Sequence, residues 1–318
     1  MIFLAPLQGY TDFIFRNVYS RHYTGIDIAV CPFISLTQEK NGISRIAKDV
    51  SPANNHTMPV IPQLFGNKPE HFIFMAQVLH DWGYNLLNWN MGCPVKNITR
   101  KKKGSGLLPY PELVREILEK IIPHIPQRLS VKIRLGLNNT DEIYQLIPVL
   151  NDFPLENIII HPRIGTQMYE GEIHHDILQN CLPLFKHEII YNGDIFTLAD
   201  YQAIKKKYPT IQKWMIGRGV FYNPLLPAII KGKQLHPAKK NDGLFLSFLL
   251  DLYNELQIYK TENQVLDKVK DLWKFFSKRF SESEKVFDKI AHAHIIGDMI
   301  LITKKIIEEE KMLDCLIV

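Results

Sequence analysis

The feature that most constrains the fold is a repeated alternation of short apolar runs and helical patterns, which extends from the N-terminus to about residue 236. Each run is rich in β-branched residues and ends in a polar loop that carries Gly or Pro. Eight such runs occur, at residues 2–6, 26–30, 59–64, 84–90, 129–135, 157–162, 188–193 and 213–218. Eight strand–helix units in about 230 residues are typical of a (β/α)8 TIM barrel. A doubly wound open sheet is the alternative, but no GxGxxG follows the first run.

Strand patterns stop after Gly232, and the rest of the chain predicts helices. The segment 231–242, KGKQLHPAKKND, is typical of a linker. Beyond it, four stretches carry apolar residues three and four positions apart, as amphipathic helices do. A chain of 318 residues with 46% hydrophobic residues can hold a barrel and a second, smaller domain. We therefore expect a TIM-barrel catalytic domain over 1–236 and a C-terminal helical domain over 237–318.

Composition narrows the setting in which the chain works. Its four cysteines are widely separated and lack CxxC or zinc-finger spacing, which argues against a metal site and favours a reducing cytoplasm. No apolar run is long enough to cross a bilayer, and the first residues do not resemble a secretory signal. The formal charge of +5 permits an anionic partner without requiring one. We expect a cytoplasmic monomer without a membrane or metal partner.

Polar residues stand where barrel strands end, which is where TIM barrels carry their working groups. Lys132 and Arg134 lie two apart on the fifth strand, so their side chains share one face. Asn88 and Asn90 have the same spacing on the fourth strand, and the third strand ends in Gln63. Cations on a largely dry face require an anionic partner or an opening to solvent, since burying an unpaired charge is costly. The alternative is that both cations simply extend to solvent at the strand end.

Two glycine-bearing loops follow the seventh and eighth strands, in YNGDI and IGRGV. Loops at these two positions commonly hold a phosphate in TIM barrels, and Arg218 adds a fixed cation. Together they predict a site for a phosphorylated ligand, for which flavin mononucleotide (FMN) and a sugar phosphate both qualify. His161 ends the sixth strand in the same layer, and we expect it to be functional.

Cys93 closes the fourth strand, in NMGCP, just before the cations RKKK at 100–103. It could be a buried small hydrophobic residue, although its loop position argues against this. A metal role lacks a second ligand at suitable spacing. A thiol beside cations suits a nucleophile, whereas a thiol kept protonated in a closed site suits a general acid. The residues leave both chemical roles open.

The combination of motifs resembles the tRNA-dihydrouridine synthases. The matching stretches are APLQGYTD at 5–12, NMGCP at 90–94, GSGLL at 104–108, VKIR at 131–134, HPR at 161–163, NGDI at 192–195 and GRG at 217–219. The resemblance implies a TIM barrel with a C-terminal helical domain, in which FMN reduced by NADPH passes hydride to C6 of a tRNA uridine while a cysteine protonates C5. Cys93 would be that acid.

The resemblance also implies ligand roles by position. Residues at six of the eight strand ends would bind FMN, namely Pro6, Leu7, Gln8, Gln63, Lys132, His161, Asn192, Gly193, Asp194, Gly217 and Arg218. Asn90 and Arg134 would hold the target uridine. The chain departs from the family pattern at Leu7, where Met is common, and in the loop after the sixth strand at Pro162, Ile164 and the pair 174–175.

Two basic features are candidates for tRNA contact. Arg100 and Lys101 belong to the cationic run beside the predicted base pocket, and Lys270 and Lys274 lie one helical turn apart in the C-terminal domain. A solvated loop and an ordinary amphipathic helix are the alternatives.

Three other functions compete with uridine reduction in tRNA. A flavin barrel acting on a free small molecule, as in dihydroorotate dehydrogenases, explains neither the added helices nor the basic loop. A catalytically silent RNA-binding relative has no need for Cys93, Lys132 and His161 together. A phosphosugar isomerase leaves Gln63 and Lys132 without a flavin edge to meet.

Overall fold

A computed structural model describes residues 1–36, 48–233 and 238–313. Its strands form one parallel sheet, as the repeated strand–helix alternation predicts. The strands are β1 (Ile2–Leu4), β2 (Ile28–Val30), β3 (Ile34–Ser35), β4 (Val60–Ile61), β5 (Gln63–Phe65), β6 (Leu86–Met91), β7 (Arg128–Gly136), β8 (Leu155–Ile164), β9 (Ile189–Asn192) and β10 (Lys213–Ile216). Each of the eight predicted runs overlaps at least one of these strands.

The third predicted run is divided into two short strands, and this division closes the barrel. Val60–Ile61 pairs with β2, whereas Gln63–Phe65 pairs with β6, so one run joins the two sides of the sheet. Pro62 separates the two pairs, and it has no backbone N–H to donate to a ladder. The additional strand Ile34–Ser35 pairs with β5 and was not predicted, because two residues show no period.

Helices surround the sheet and continue beyond it. The barrel part contains α1 (Phe13–His22), α2 (Pro69–Asp81), α3 (Lys96–Thr99), α4 (Pro111–Ile121), α5 (Glu142–Asn151), α6 (His175–Cys181), α7 (Leu198–Lys207), α8 (Gly219–Tyr222) and α9 (Leu226–Ile230). The C-terminal part contains α10 (Ala238–Tyr259), α11 (Glu262–Phe276), α12 (Ser283–Ala291) and α13 (Ile296–Glu309). Local chemistry explains their limits; for example, Thr197 and Asp200 form a capping box at the start of α7, and lysines occupy its last turn.

Two hydrophobic clusters result from this arrangement. The larger lies between the sheet and the helices and continues into the C-terminal helices. The smaller fills the barrel interior and contains one or two residues from most strands, including Phe3, Val30, Ile159, Ile190 and Met215. Toward the carboxyl ends of the strands, the inward positions become polar. The buried polar side chains of Asn90, Arg134 and His161 therefore lie together at one mouth of the barrel.

The C-terminal helices dock against the first βα unit. The ring of Tyr10 meets the ring of Phe275 edge-on at 5.0 Å between centroids. The Lys268 ammonium donates to the Gly9 carbonyl and lies 3.2 Å from the Asp12 carboxylate. The predicted boundary at 236/237 and the middle of the predicted linker fall within 234–237, outside the described residues, so the division into two domains stays a prediction.

Candidate active site

A cavity opens at the mouth of the barrel where the carboxyl ends of the strands meet. Every predicted pocket residue except Gln63 lines it: Pro6, Leu7, Gln8, Asn90, Cys93, Lys132, Arg134, His161, Asn192, Gly193, Asp194, Gly217 and Arg218. The cavity also has apolar walls that were not predicted, formed by Phe33, Val95, Ile98, Tyr169, Phe196 and Met215. It is therefore a partly apolar slot with polar groups at fixed points, which is the usual composition of a site for an aromatic ligand.

The loop after β1 is fixed by one threonine. The Thr11 hydroxyl accepts from the Leu7 N–H at 2.9 Å and donates to the Ala5 carbonyl at 3.0 Å. Thr11 is fully buried, so neither bond is exposed to competing water. The segment from Pro6 to Gln8 consequently forms a defined wall of the cavity.

Asn90 shapes the loop that carries Cys93. Its side-chain oxygen accepts from the N–H groups of Gly92 and Cys93, both at 3.0 Å. Its amide nitrogen donates to the Gln63 side-chain oxygen at 2.8 Å. The sequence predicts Asn90 as a uridine ligand; in the structure it lines the cavity and also holds the turn on which the thiol sits.

The GSGL turn packs directly beneath Cys93. This stretch forms a 3-10 turn over Gly104–Leu107. Ser105 donates to the Cys93 carbonyl from its N–H at 3.0 Å and from its hydroxyl at 3.1 Å. Gly104 has a φ of 58°, and a Cβ added there would lie 2.5 Å from the Cys93 carbonyl oxygen. The close approach explains why glycine stands at this position.

Gln63 lies behind the cavity wall. It is fully buried, and its amide nitrogen donates to the Asn88 oxygen at 2.7 Å while its oxygen receives the bond from Asn90. Asn88 continues the network to the Ser130 hydroxyl at 2.8 Å. Gln63 therefore supports Asn90 in this structure, and its predicted contact with a flavin edge stays a prediction.

Lys132 and Arg134 both turn into the cavity, which excludes the alternative that they merely extend to solvent. Arg134 is buried and donates to the Gly92 carbonyl at 3.0 Å and to the Ile164 carbonyl at 2.9 Å. Lys132 has no hydrogen-bond partner among the described residues. Burial, with the charge of Arg134 beside it, lowers the pKa of Lys132 to about 7.

Burial has the opposite effect on the half-buried thiol. It raises the pKa of Cys93 above its ordinary value, although a backbone hydrogen bond and the charges of Arg134 and Lys132 act against the rise. A thiol with a raised pKa is protonated at neutral pH. Of the two chemical roles that the sequence leaves open, a protonated thiol suits the general acid better than the nucleophile.

In another part of the cavity lining, one carboxylate is shared by two arginines. Asp194 accepts from Arg218 at 2.8 Å and from Arg163 at 3.0 Å. Asn192 donates its amide to the Met215 carbonyl at 3.0 Å. Asp194 and Asn192 thus organise the two glycine loops, whereas Arg218 and the backbone of Gly193 and Gly217 remain the groups suited to an anion.

Tyr169 is the main cavity residue that sequence reasoning missed. It lies in the loop after β8, and the guanidinium carbons of Arg134 and Arg218 lie 5.3 and 5.8 Å from its ring centroid. Such distances are within the range of cation–π attraction. Nothing in the sequence spacing around Tyr169 indicates that its ring enters the mouth.

The predicted tRNA-contacting residues lie outside the cavity. Arg100 and Lys101 are exposed, and the Asn67 amide fixes their loop by donating to the carbonyls of Lys101 and Lys102 at 3.1 and 3.0 Å. Lys274 is exposed and pairs with Asp271 at 2.6 Å, and Lys270 is half-buried.

No group of three or more His, Cys, Asp or Glu side chains is placed to hold a metal ion within 1–36, 48–233 and 238–313. Over the same part of the chain, no helix has the length and apolar character that a membrane span requires.

Fold and site together define a TIM-barrel protein whose mouth is a cationic, partly apolar ligand cavity. Among solved structures, an old yellow enzyme homologue from Zymomonas mobilis aligns with a TM-score of 0.52 and 11% identity, covering 74% of this chain and 89% of that one. A morphinone reductase in complex with tetrahydroNAD aligns with a TM-score of 0.51 and 11% identity, covering 74% of this chain and 87% of that one. At such identities these similarities show the barrel fold alone.

Sequence comparison gives the family. The model described as "Dihydrouridine synthase (Dus)" matches residues 3–295, and the chain belongs to this family. A "tRNA-dihydrouridine synthase B" of Pasteurella multocida is 30% identical over 71% of this chain and 67% of the relative. A "Probable tRNA-dihydrouridine synthase" of Staphylococcus epidermidis strain RP62A is 29% identical over 98% of this chain and 92% of the relative.

Proposed function

We propose that this protein is a tRNA-dihydrouridine synthase that uses FMN and NADPH to reduce the C5–C6 double bond of specific uridines in tRNA. The observation that carries the proposal is the placement of the Cys93 thiol at the edge of a cavity lined by Lys132 and Arg134, in a chain of the dihydrouridine synthase family. The names of the relatives from Pasteurella multocida and Staphylococcus epidermidis support tRNA as the substrate.

The cavity fits FMN in its donor chemistry. Lys132 offers an ammonium group without a hydrogen-bond partner among the described residues, as the electron-rich edge of an isoalloxazine ring requires. Arg218 and the Gly193 and Gly217 loops offer a cation and backbone N–H groups to a phosphate. The full set that would hold FMN comprises Pro6, Leu7, Gln8, Gln63, Lys132, His161, Asn192, Gly193, Asp194, Gly217 and Arg218.

Bound FMN, once reduced by NADPH, would supply the hydride that adds to C6 of the uracil. Cys93 would supply the proton that adds to C5, because burial keeps its thiol protonated at neutral pH, its pKa being raised. The electron pair left on sulfur would be stabilised by the charges of Lys132 and Arg134, and the thiolate would then regain a proton from solvent. One hydride and one proton thus saturate one double bond.

The target uridine would have to leave its stack to enter a cavity at the mouth of the barrel. Asn90 and Arg134 would hold the uracil, and Tyr169 borders the same space. Outside the slot, Arg100, Lys101, Lys270 and Lys274 would contact the phosphates of the tRNA. We place the reaction in the cytoplasm and expect a monomer.

The test is a comparison of Cys93→Ala with Cys181→Ala. Cys181 is a buried thiol at the end of α6, away from the cavity. Cys93→Ala should keep bound flavin and its reduction by NADPH, because no cofactor contact is removed, but should lose most uridine reduction in tRNA. Cys181→Ala should retain uridine reduction in tRNA. Visible absorbance reports bound flavin, and dihydrouridine formed per tRNA reports turnover.

Two results would count against the proposal. Uridine reduction at the parent rate by Cys93→Ala would remove Cys93 as the acid. A purified parent protein without yellow flavin, which also cannot be loaded with FMN, would remove the cofactor assignment. If both tests succeed, mapping dihydrouridine in tRNA from cells that lack this protein will identify the modified position.

A further inference from the structure

Arg163 is a buried cation that has no role in the function proposed above. It is 4% exposed, does not line the cavity and lies on β8 two residues after His161. Its guanidinium contacts the His161 ring and the Asp194 carboxylate, which both line the cavity, and the carbonyl of Gly171, two residues after the lining residue Tyr169. A buried arginine that joins two cavity-lining side chains to a neighbouring loop is better placed for a functional role than an isolated ion pair.

The contact with His161 determines which ring nitrogen carries the proton. The Arg163 Nη1 atom lies 3.3 Å from Nε2 of His161. A guanidinium has only donors, so Nε2 has to accept and be unprotonated. Burial, with the charges of Arg134, Lys132, Arg163 and Arg218, holds the pKa of His161 well below its usual value, so the ring is neutral. The single proton therefore sits on Nδ1, which no described residue hydrogen-bonds and which is available as a donor to the cavity.

The contact with Asp194 fixes the loop after β9. Asp194 has a φ of 25°, a region that non-glycine residues rarely occupy and that requires support from surrounding contacts. Although burial acts to raise it, hydrogen bonds from Arg163 and Arg218 hold the pKa of Asp194 below its usual range. The carboxylate is therefore ionised and held on both sides, and it orients Arg218 toward the mouth.

The contact with Gly171 fixes the loop after β8. Nε and Nη2 of Arg163 donate to the Gly171 carbonyl at 3.1 and 2.7 Å. Gly171 has a φ of 72° and lies two residues after Tyr169. One buried side chain thus connects the two loops that border the phosphate end of the cavity with the histidine between them.

We propose that Arg163 is a positioning residue for the cofactor: it directs the Nδ1–H of His161 into the cavity and holds the Asp194 and Tyr169 loops in their binding arrangement. The identity of the cofactor as FMN rests on the function proposed above, whereas the effect on the His161 tautomer does not. The experiment therefore needs one measurement of each kind.

The variants are Arg163→Met, Arg163→Lys and, as a matched control, Arg115→Met. Methionine keeps the apolar length of the side chain and removes all donors. Lysine keeps the positive charge and can donate hydrogen bonds, but its single ammonium group cannot contact His161, Asp194 and Gly171 at the same time as a guanidinium does. Arg115 also pairs with an aspartate, Asp152 at 2.8 Å, but on the protein surface. Circular dichroism and thermal unfolding establish that each variant is folded.

The first measurement is the ¹⁵N spectrum of the His161 ring in flavin-free protein. The parent and Arg115→Met should show the neutral Nδ1–H tautomer, whereas Arg163→Met should show a mixture or the Nε2–H form, because nothing then requires Nε2 to accept. The second is the dissociation constant for FMN, followed by flavin fluorescence. It should increase about 10-fold or more in Arg163→Met, as on loss of an outer hydrogen bond that orients a ligand-binding group. Arg163→Lys should recover part of this loss.

The proposal is overturned if Arg163→Met, while folded, keeps a pure Nδ1–H tautomer or binds FMN as tightly as the parent. If the parent itself binds no FMN, the proposed function fails, and the tautomer measurement alone decides the role of Arg163.

Discussion

Replacing Gly104 by alanine should separate the folding role of the turn beneath Cys93 from its catalytic role. Gly104 has a φ of 58°, and an added Cβ would lie 2.5 Å from the Cys93 carbonyl oxygen and 2.9 Å from the Cys93 Cβ. Ordinary contacts begin near 3.4 Å, so the loop that carries the thiol would have to move by about 1 Å, a displacement that can cost on the order of 100-fold in rate.

The loss of stability can be worked out from the same contacts. A left-handed conformation costs a non-glycine residue about 1–2 kcal/mol. Movement of the Cys93 carbonyl would also weaken the two hydrogen bonds from Ser105, each with a net contribution of about 0.5–1.5 kcal/mol. We therefore expect Gly104→Ala to lower the free energy of unfolding by about 2–5 kcal/mol.

Gly83 offers a matched control. It has a φ of 88°, but a Cβ added there would meet nothing within 4 Å. Gly83→Ala should cost only the conformational part, about 1–2 kcal/mol, and leave turnover unchanged. Urea unfolding gives the stabilities, and dihydrouridine formed per tRNA gives the rates. Equal losses of stability in both variants, with parent turnover in Gly104→Ala, would refute the inference that Gly104 positions Cys93.

Two other changes test the cations. The pKa of Lys132 in the folded protein is about 7, below its usual 10.5. Between these two pH values the unfolded chain therefore binds more protons than the folded chain. Lys132 consequently makes the free energy of unfolding increase as the pH rises above about 7. Lys132→Met should remove this increase. Urea unfolding at pH 7 and pH 9 tests the prediction, which is contradicted if parent and variant differ in stability by the same amount at both pH values. Arg100→Ser with Lys101→Ser should weaken tRNA binding and reduce the slope of log affinity against log salt by about 2, without loss of flavin. As a control, Lys205→Ser with Lys206→Ser on the outer helix α7 should change neither the tRNA affinity nor the salt slope. If the Arg100 and Lys101 variant also keeps the parent slope, the loop at 100–103 does not belong to the tRNA interface.

The barrel could be predicted from sequence because parallel strands buried on both faces leave nearly continuous apolar runs. The division of the third predicted run into two strands at Pro62 could not be predicted, because it depends on which strands each part pairs with in the closed sheet. The strand Ile34–Ser35 is too short to show a pattern.

The cavity could be predicted wherever a residue's direction follows from its strand position. Lys132, Arg134 and His161 are in this group, because strand period and strand end together point them to the mouth. Gln63, Tyr169 and Arg163 are not. Their surroundings depend on partners distant in the chain, such as Asp194 for Arg163, and on side-chain directions that sequence spacing does not determine.

The docking of the helical part on the loop after β1 has a consequence for how such proteins can be rearranged. Lys268 and Phe275 contact the loop that begins as a wall of the cavity, and they lie on the same helix as Lys270 and Lys274. The C-terminal helices are therefore not an exchangeable attachment. A chimera that joins this barrel to the helices of a relative would have to carry the partners of Gly9, Tyr10 and Asp12 with it, or rebuild residues 6–12 to match.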